Sequence, residues 1–391
     1  MKKIKILNII TRLDRGGSAE NTILTVSHIR NDKFDNLLIS GPTNDPDGSI
    51  SEFIKKQEVD VHYLSYLVRQ INPIKDILAF FWLLFFIRRH KFDIVHTHAS
   101  KAGIIGRWAA FFAGTKAIIH TPHGHVFYGY YGRLKSALFV LLEKITALIT
   151  KKIITLTPKG IDEHVSFGVA KEEKFISIHS GVDIDYYISM NTDAVKVKSS
   201  IGISENDFVV GTVTRLEKVK DNKTLIKAFN EVLKVNKNAV LLIVGDGSER
   251  DMLEKLVKHF GIEYSVKFLG LRKDAPEIMS IFDVFAMASL NEGMGKVYVQ
   301  ASALGKPIVG TRVGGVEDVV LDGKTGVLVS SGDYRALGEA VLSLANDKDK
   351  RERFGKEALS YVTSKENGLM RFSVQLMISK LEDLYENVTR I

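Results

Sequence analysis

Strand-like apolar runs alternate with stretches of helical spacing along almost the whole chain, an order that favours parallel sheets covered by helices on both faces. In the first half this places strands at residues 5–10, 36–40, 61–64, 94–96, 117–121 and 152–156, with helices over 19–30, 50–56, 73–89, 101–112 and 135–149. The second half repeats the scheme, with strands at 208–213, 239–244, 266–269, 284–288, 307–311 and 326–329 and helices over 222–233, 248–260, 275–281, 296–304 and 333–344. At 391 residues the chain is too long for one ordinary core. The expected fold class is therefore α/β, with two Rossmann-like, doubly wound parallel-sheet domains, residues 1–185 and 186–370, facing each other across a cleft. A polar, weakly patterned stretch from Gly181 to Ser204 marks the change of domain. The last helix, near 371–389, has no strand after it, and segment 371–391 is expected to return to the first domain. In such folds ligands bind beyond the carboxyl ends of the strands.

The net charge of +8 is unevenly placed: residues 1–185 hold 25 Lys and Arg against 18 Asp and Glu, and the remainder holds 29 against 28. Within 101–152 eight basic residues face a single acid, Glu143. That band lies among apolar helices, which suggests an anionic membrane surface as a partner of the N-terminal domain, each Lys or Arg near such a surface contributing about 1 kcal/mol. Nucleic acid is not expected, because the basic residues are interleaved with Leu, Ile and Ala and not with exposed stacking aromatics. An ordinary solvated lysine face is the plain alternative.

No run reaches the roughly 20 apolar residues of a membrane span. The longest, Ile77 to Ile87, ends at Arg88-Arg89-His90-Lys91 and is apolar all round. Either neighbours bury it, or it dips into a membrane interface beside its basic end. There is no cysteine, so disulfides and thiolate metal sites are excluded, and no secretory signal is expected, since Met1-Lys2-Lys3-Ile4-Lys5 runs straight into a strand-like stretch. The expected location is the cytoplasm, peripheral on the inner face of the cell membrane.

The stretch Ser289 to Gln300, followed by Ala303 to Val309 and then Gly314-Gly315, reads as strand, acidic-glycine loop, helix, strand and glycine loop. Such a loop brings bare N–H groups and one fixed carboxylate to the start of a helix, whose partial positive charge favours a phosphate. The amides suit a diphosphate, and Glu292 can accept from sugar hydroxyls. A nucleotide sugar combines both features.

These motifs, with Gly16-Gly17-Ser18-Ala19-Glu20, Asp93 to His98, His120-Thr121-Pro122-His123-Gly124, Gly181-Val182-Asp183, Arg215 to Lys220, Gly245-Asp246-Gly247 and Phe268-Leu269-Gly270, occur in an order that resembles the retaining glycosyltransferases of family 4, which have the GT-B fold. The resemblance covers nearly the whole chain. It implies catalytic roles for Glu292, on the donor sugar hydroxyls; for Arg215 and Lys220, on the diphosphate; and for His123, beside the transferred sugar. Donor-binding roles follow for Gly16, Gly17, Gly293, Met294, Gly295, Gln300, Gly245, Leu269, Gly314 and Gly315. The implied reaction moves a hexose or N-acetylhexosamine from a UDP- or GDP-sugar to a glycan acceptor, lipid-linked given the basic apolar band, in surface polysaccharide or glycolipid assembly. No metal and no further cofactor is expected.

Two positions depart from the family. Gln300 stands where a second glutamate, separated from the first by seven residues, usually holds the ribose hydroxyls. An amide gives up a charge-assisted contact, a loss of roughly 1 kcal/mol. Asp221 replaces a glycine common after the lysine, which bears on the local turn. Histidines 96, 98, 120, 123 and 125 could suggest a metal site, but no acid lies within 96–98 or 120–125. The Gly245 loop lacks the third glycine of a dinucleotide fingerprint. The rival readings are a nucleotide-sugar epimerase or phosphorylase of the same fold, and a non-catalytic scaffold that binds nucleotide sugar.

Overall fold

A computed structural model of the protein describes residues 2–45, 47–130 and 132–389. The first half runs β1 (Ile4–Ile10), α1 (Gly17–His28), β2 (Phe34–Ser40), α2 (Ser49–Lys56), β3 (Val61–Tyr63), α3 (Pro73–His90), β4 (Ile94–His98), α4 (Ser100–Phe112), β5 (Ala117–Thr121), α5 (Arg133–Leu148), β6 (Lys152–Thr155), α6 (Pro158–Ser166) and β7 (Phe175–Ser177). After the short helices α7 (Ile184–Ile188) and α8 (Ala194–Ser200) come β8 (Phe208–Val213), α9 (Asn222–Val235), β9 (Ala239–Val244), α10 (Arg250–Phe260), β10 (Val266–Gly270), α11 (Ala275–Ser280), β11 (Val284–Met287), α12 (Lys296–Ala303), β12 (Ile308–Thr311), β13 (Gly326–Val329), α13 (Tyr334–Ala345) and α14 (Lys348–Thr363). A small antiparallel pair, β14 (Lys365–Glu366) and β15 (Leu369–Met370), precedes the last helix, α15 (Val374–Thr389).

The chain divides into two compact units. One comprises residues 1–181 with 374–391, the other 182–373. The first holds a seven-stranded sheet in the order β3-β2-β1-β4-β5-β6-β7 and the second a six-stranded sheet in the order β10-β9-β8-β11-β12-β13. All pairings in both sheets are parallel. Each sheet starts in the middle, runs outward to one edge, then returns across its first strand to the other side. The strand order therefore reverses between β1 and β4 in the first unit and between β8 and β11 in the second. The carboxyl ends of those strands are where such sheets receive ligands.

The central strands are buried on both faces and read accordingly. Every residue of β9, Ala-Val-Leu-Leu-Ile-Val, is buried, as a doubly covered parallel strand requires. On one face of the first sheet, Ile6, Ile94, Ile119 and Ile154 pack against Met377, Leu381, Leu384 and Tyr385 of α15. On the other, Leu7, Ile9, Val95 and Ile118 meet Ala79, Leu83 and Ile87 of α3 and Ala102 and Ala109 of α4. The helix α3 begins where Asn72 caps it, its side chain accepting from Lys75 N at 3.1 Å with Pro73 at the first helical position.

Several elements lie beyond the sequence expectations. The strand expected at 94–96 continues to His98. The strand β7, the helices α6 and α14 and the β14–β15 pair are additions. Only one narrow stripe of α3, namely Ala79, Leu83 and Ile87, is buried, so the first of the two readings of Ile77 to Ile87 fails. No described helix is long and apolar enough to cross a membrane.

Candidate active site

In the second unit the loops after β8 and β11 flank the reversal of strand order, and each brings one charged residue to it. Lys220 Nζ forms an ion pair with Glu292 Oε1, and Ser289 Oγ donates to the same carboxylate oxygen at 2.7 Å. Both charges are held largely away from water, the side chains of Glu292 and Lys220 being 8% and 16% exposed. The two loops are also tied through their backbones, Leu290 N donating to Val219 O at 2.8 Å. Ser289 is itself anchored by Thr311 at the end of β12, whose Oγ1 donates to the Ser289 carbonyl at 2.6 Å. A carboxylate with one cationic and one hydroxyl partner keeps acceptor capacity for ligand hydroxyls.

Glycine is required where backbones nearly touch. Gly314 has φ +49°, and a Cβ there would stand 2.0 Å from the Glu292 carbonyl oxygen, which also accepts from Gly315 N at 3.0 Å. The Gly314-Gly315 loop opens a single 3-10 turn, Gly314–Asp318. Gly295, at φ +76°, caps α12, and a Cβ would meet the Tyr298 ring at 2.6 Å. Gly293 is half-buried, and the Met294 side chain is buried.

The loops after β8, β9 and β10 form a second cluster. Thr214 N donates to Val244 O, Leu216 N to Asp246 O and Gly245 N to Gly270 O, at 2.9, 2.9 and 2.8 Å. A Cβ on Gly245, at φ +131°, would lie 1.9 Å from the Thr214 carbonyl oxygen. Leu269, at the end of β10, is half-buried beside this cluster. Arg215 is exposed, and its guanidinium has no ion pair among the described residues. Gln300 lies half-buried on α12, eight residues beyond Glu292.

Asp221 explains its own departure. Its backbone is left-handed, at φ +44°, the conformation glycine takes most easily. Its side chain accepts from Thr224 N at 3.3 Å and caps α9, so an acid that tolerates this conformation supplies the turn and the helix start together.

In the first unit the histidines gather at the carboxyl ends of β4 and β5. Residues two apart on a strand share a face, and the rings of His96 and His98 lie 4.1 Å apart. His98 Nδ1 is 3.0 Å from His123 Nε2 and His98 Nε2 is 3.2 Å from Asn8 Oδ1. His96 bridges the Tyr385 hydroxyl, at 2.6 Å, and Thr121 Oγ1, at 2.8 Å. His120 pairs with Thr97. Burial pushes His96 down to about 3 and holds His98 and His120 well below the ordinary imidazole range, so all three are neutral near pH 7. His123 has a left-handed backbone, at φ +57°. Gly16 caps α1 after β1 at φ +152°, and Gly17, the first residue of α1, is exposed.

Beyond His123 the loop is pinned to α6. His125 Nε2 and the Tyr128 hydroxyl contact the two oxygens of Glu163 at 2.8 and 2.6 Å. Burial alone would raise the Glu163 carboxyl, but hydrogen bonds from His125 and Tyr128 outweigh it and keep the group below its ordinary value. No group of three side chains suited to hold a metal ion occurs among the described residues.

The structure thus joins Glu292 to Lys220 and to the Gly314-Gly315 loop, and Gly245 to the β10 end. His123 is joined to His98. Sequence reasoning did not assign Ser289, Thr311, Asn8, His98, Glu163 or Tyr385. The i, i+2 spacing of His96 and His98 could have pointed to His98, whereas Tyr385 lies 289 residues from His96.

Comparison with known proteins gives concordant matches. Residues 19–186 match the Glycosyltransferase Family 4 family and residues 194–360 match Glycosyl transferases group 1. The chain is 28% identical to the UDP-Gal:alpha-D-GlcNAc-diphosphoundecaprenol alpha-1,3-galactosyltransferase of Escherichia coli, over 98% of this chain and 97% of that protein. It is 26% identical to the capsular polysaccharide biosynthesis glycosyltransferase CapM of Staphylococcus aureus, over 85% and 91%. Among solved structures, HepE of Anabaena in complex with UDP and glucose superposes with a TM-score of 0.82 at 22% identity, covering 98% of this chain and all of that one.

Proposed function

Since the chain is a glycosyltransferase of the family 4 group with the GT-B fold, we propose that it transfers a hexose or N-acetylhexosamine from a UDP-sugar to a lipid-linked glycan, with retention of anomeric configuration and without a metal ion. The observation that carries this reading is the Lys220–Glu292 pair at the reversal of strand order, with glycine-bounded loops on either side.

In this reading Glu292 accepts from the sugar hydroxyls and so sets the orientation of the ring. Lys220 and Arg215 bear on the diphosphate, where negative charge grows as the glycosidic bond breaks. These two cations do the work for which other sites use a divalent metal. The backbone N–H groups of Gly293 to Gly295 and of Gly314-Gly315 lie against sugar and phosphate. Gly16 and Gly17 approach the diphosphate or the acceptor, and His123 supports the sugar near the reacting carbon. The leaving diphosphate takes the acceptor proton, so His123 need not act as a strong base. Departure and attack then occur on the same face of the sugar.

The E. coli relative's name, with its UDP donor and diphosphoundecaprenol acceptor, and the UDP held by HepE support the choice of UDP and of a lipid-linked acceptor. In this reading the reaction runs at the cytoplasmic face of a membrane and serves surface polysaccharide assembly, a role that the name of the S. aureus relative supports. The test is a screen of purified protein with UDP, GDP, ADP and TDP sugars, with and without EDTA, reading thermal stabilisation and nucleotide release. Stabilisation and slow release with a UDP-sugar, unchanged by EDTA, are expected. Stabilisation by a nucleotide sugar with no release of nucleotide would move the scaffold reading to the front, and no stabilisation by any nucleotide would overturn both readings.

A further inference from the structure

The helix α5 is built inside out. Its buried positions are Ser136, Thr146 and Ala147, and its one acid, Glu143, turns inward to the fully buried Arg107 at 2.7 Å. Thr146 Oγ1 accepts from Trp108 Nε1 of α4 at 3.3 Å. The opposite face carries Leu134, Leu138, Leu141, Ile145 and Leu148, spaced by four and three residues, all of them exposed. Leu134 is 90% and Leu148 79% exposed. A helix that buries its small polar residues and presents leucines to water has the reverse of the usual polarity.

The same layer continues through α4 to α3. Phe80 of α3 meets Phe112 of α4 edge to face at 6.1 Å, and both Phe111 and Phe112 are exposed. On α3, Ile74, Ile77, Phe81 and Phe85 are exposed, Phe85 at 65%. Three adjacent helices on one side of one sheet therefore show large apolar side chains, an extent that marks an interaction surface.

Charge identifies the occupant. The two acids of these helices are engaged, Asp76 by Lys101 at 2.6 Å and Glu143 by Arg107. The exposed charges are basic: Arg88 and Arg89 at the end of α3, and Arg133, Lys135 and Lys144 on α5, with Lys91 and Lys116 in the following loops. A second copy of the chain would set these like charges against each other. An anionic bilayer surface accepts both the leucines, into its acyl boundary, and the basic rim, at its head groups.

We propose that α3, α4 and α5 form a membrane-docking face that binds an anionic lipid surface, with the leucine stripe of α5 inserted. The idea extends the reading of a lipid-linked acceptor, but the face does not need the transfer reaction to bind. The test is flotation of the full chain with phosphatidylcholine vesicles, with and without 30% phosphatidylglycerol, alongside sedimentation equilibrium without lipid. Partition onto anionic vesicles is expected, falling at least tenfold in a Leu138→Ser, Leu141→Ser, Ile145→Ser variant and in an Arg133→Gln, Lys135→Gln, Lys144→Gln variant. Unchanged thermal unfolding and unchanged UDP-sugar hydrolysis in both variants would show that the fold and donor site persist. Failure of the wild-type protein to float, or equal flotation of the apolar variant, would overturn the docking face while leaving the transferase reading intact. A lipid-free dimer abolished by the apolar variant would assign the face to a second copy instead.

Discussion

His98 Nδ1 and His123 Nε2 lie 3.0 Å apart at the end of the first sheet, and the far side of His98 is held by Asn8. With Asn8 Nδ2 donating to Asn36 Oδ1 at 3.2 Å, Asn8 Oδ1 is the acceptor that faces His98. The neutral His98 then carries its proton on Nε2 and accepts through Nδ1 from His123 Nε2–H. A strand residue thus fixes the ring of a histidine whose own backbone is left-handed.

His98→Leu and Asn8→Leu are accordingly expected to lower kcat for sugar transfer by up to about 100-fold, the cost of a reacting geometry displaced by about 1 Å. The KM for the donor should change little. Steady-state kinetics checks this, and a His98→Leu enzyme with wild-type kcat would remove His98 from any positioning role.

The neutral histidines also set an acid limit on stability. His96 titrates near 3 when folded and His98 and His120 also lie well below 6.5, so each binds protons more readily in the unfolded chain. Above pH 6.5 this costs nothing. As pH falls from 6.5 toward 3 the unfolded state is favoured, by up to about 1.4 kcal/mol per pH unit for each histidine. Thermal unfolding should show Tm dropping steadily below pH 6.5, and a flat Tm between pH 7 and 5 would contradict the neutral assignment.

Much of this arrangement was legible in the sequence because parallel sheets write their strands as continuous apolar runs and their ligand loops as glycines. The run Ala239 to Val244 and the loop Gly293 to Gly295 are readable for that reason. The Lys220–Glu292 pair was legible only as two separate residues, since 72 positions divide them and the strand order alone brings them together. The contact between His96 and Tyr385 has no local signature at all. The exposure of α3 was undecided in the sequence because an all-apolar helix reads the same whether neighbours cover it or not.

The Lys220–Glu292 pair should behave as a unit. Lys220→Met leaves a carboxylate that is 8% exposed without its cation, at a cost of about 3 kcal/mol. Glu292→Gln leaves the buried amine unmatched at a similar cost. The double variant should recover much of the stability and none of the activity. Urea unfolding of the four proteins checks this, and strictly additive losses would show that the pair has no coupling.

Gly314→Ala is expected to destabilise the second unit by roughly 2–4 kcal/mol, because its Cβ would press on the Glu292 carbonyl and its φ of +49° disfavours any side chain. Gly323→Ala has a positive φ of +74° but open space around its Cβ, so it should cost only the backbone term of about 1 kcal/mol. Equal losses in the two variants, measured by denaturant midpoint, would mean that close approach to Glu292 is not what the glycine serves.

Gln300 gives the sharpest comparison. It lies on α12, eight residues beyond Glu292 of the preceding loop, where an amide can accept from a ribose hydroxyl but cannot offer a charged, two-pronged contact. Gln300→Glu should therefore tighten UDP binding by about 1 kcal/mol, or roughly fivefold. The gain should appear equally with UDP and with the full donor, because the ribose is common to both, and kcat should stay nearly constant. Isothermal titration with UDP, set against donor kinetics, separates these quantities. Unchanged UDP affinity would remove position 300 from the nucleotide site, whereas a gain confined to the intact donor would place the residue beside the sugar instead.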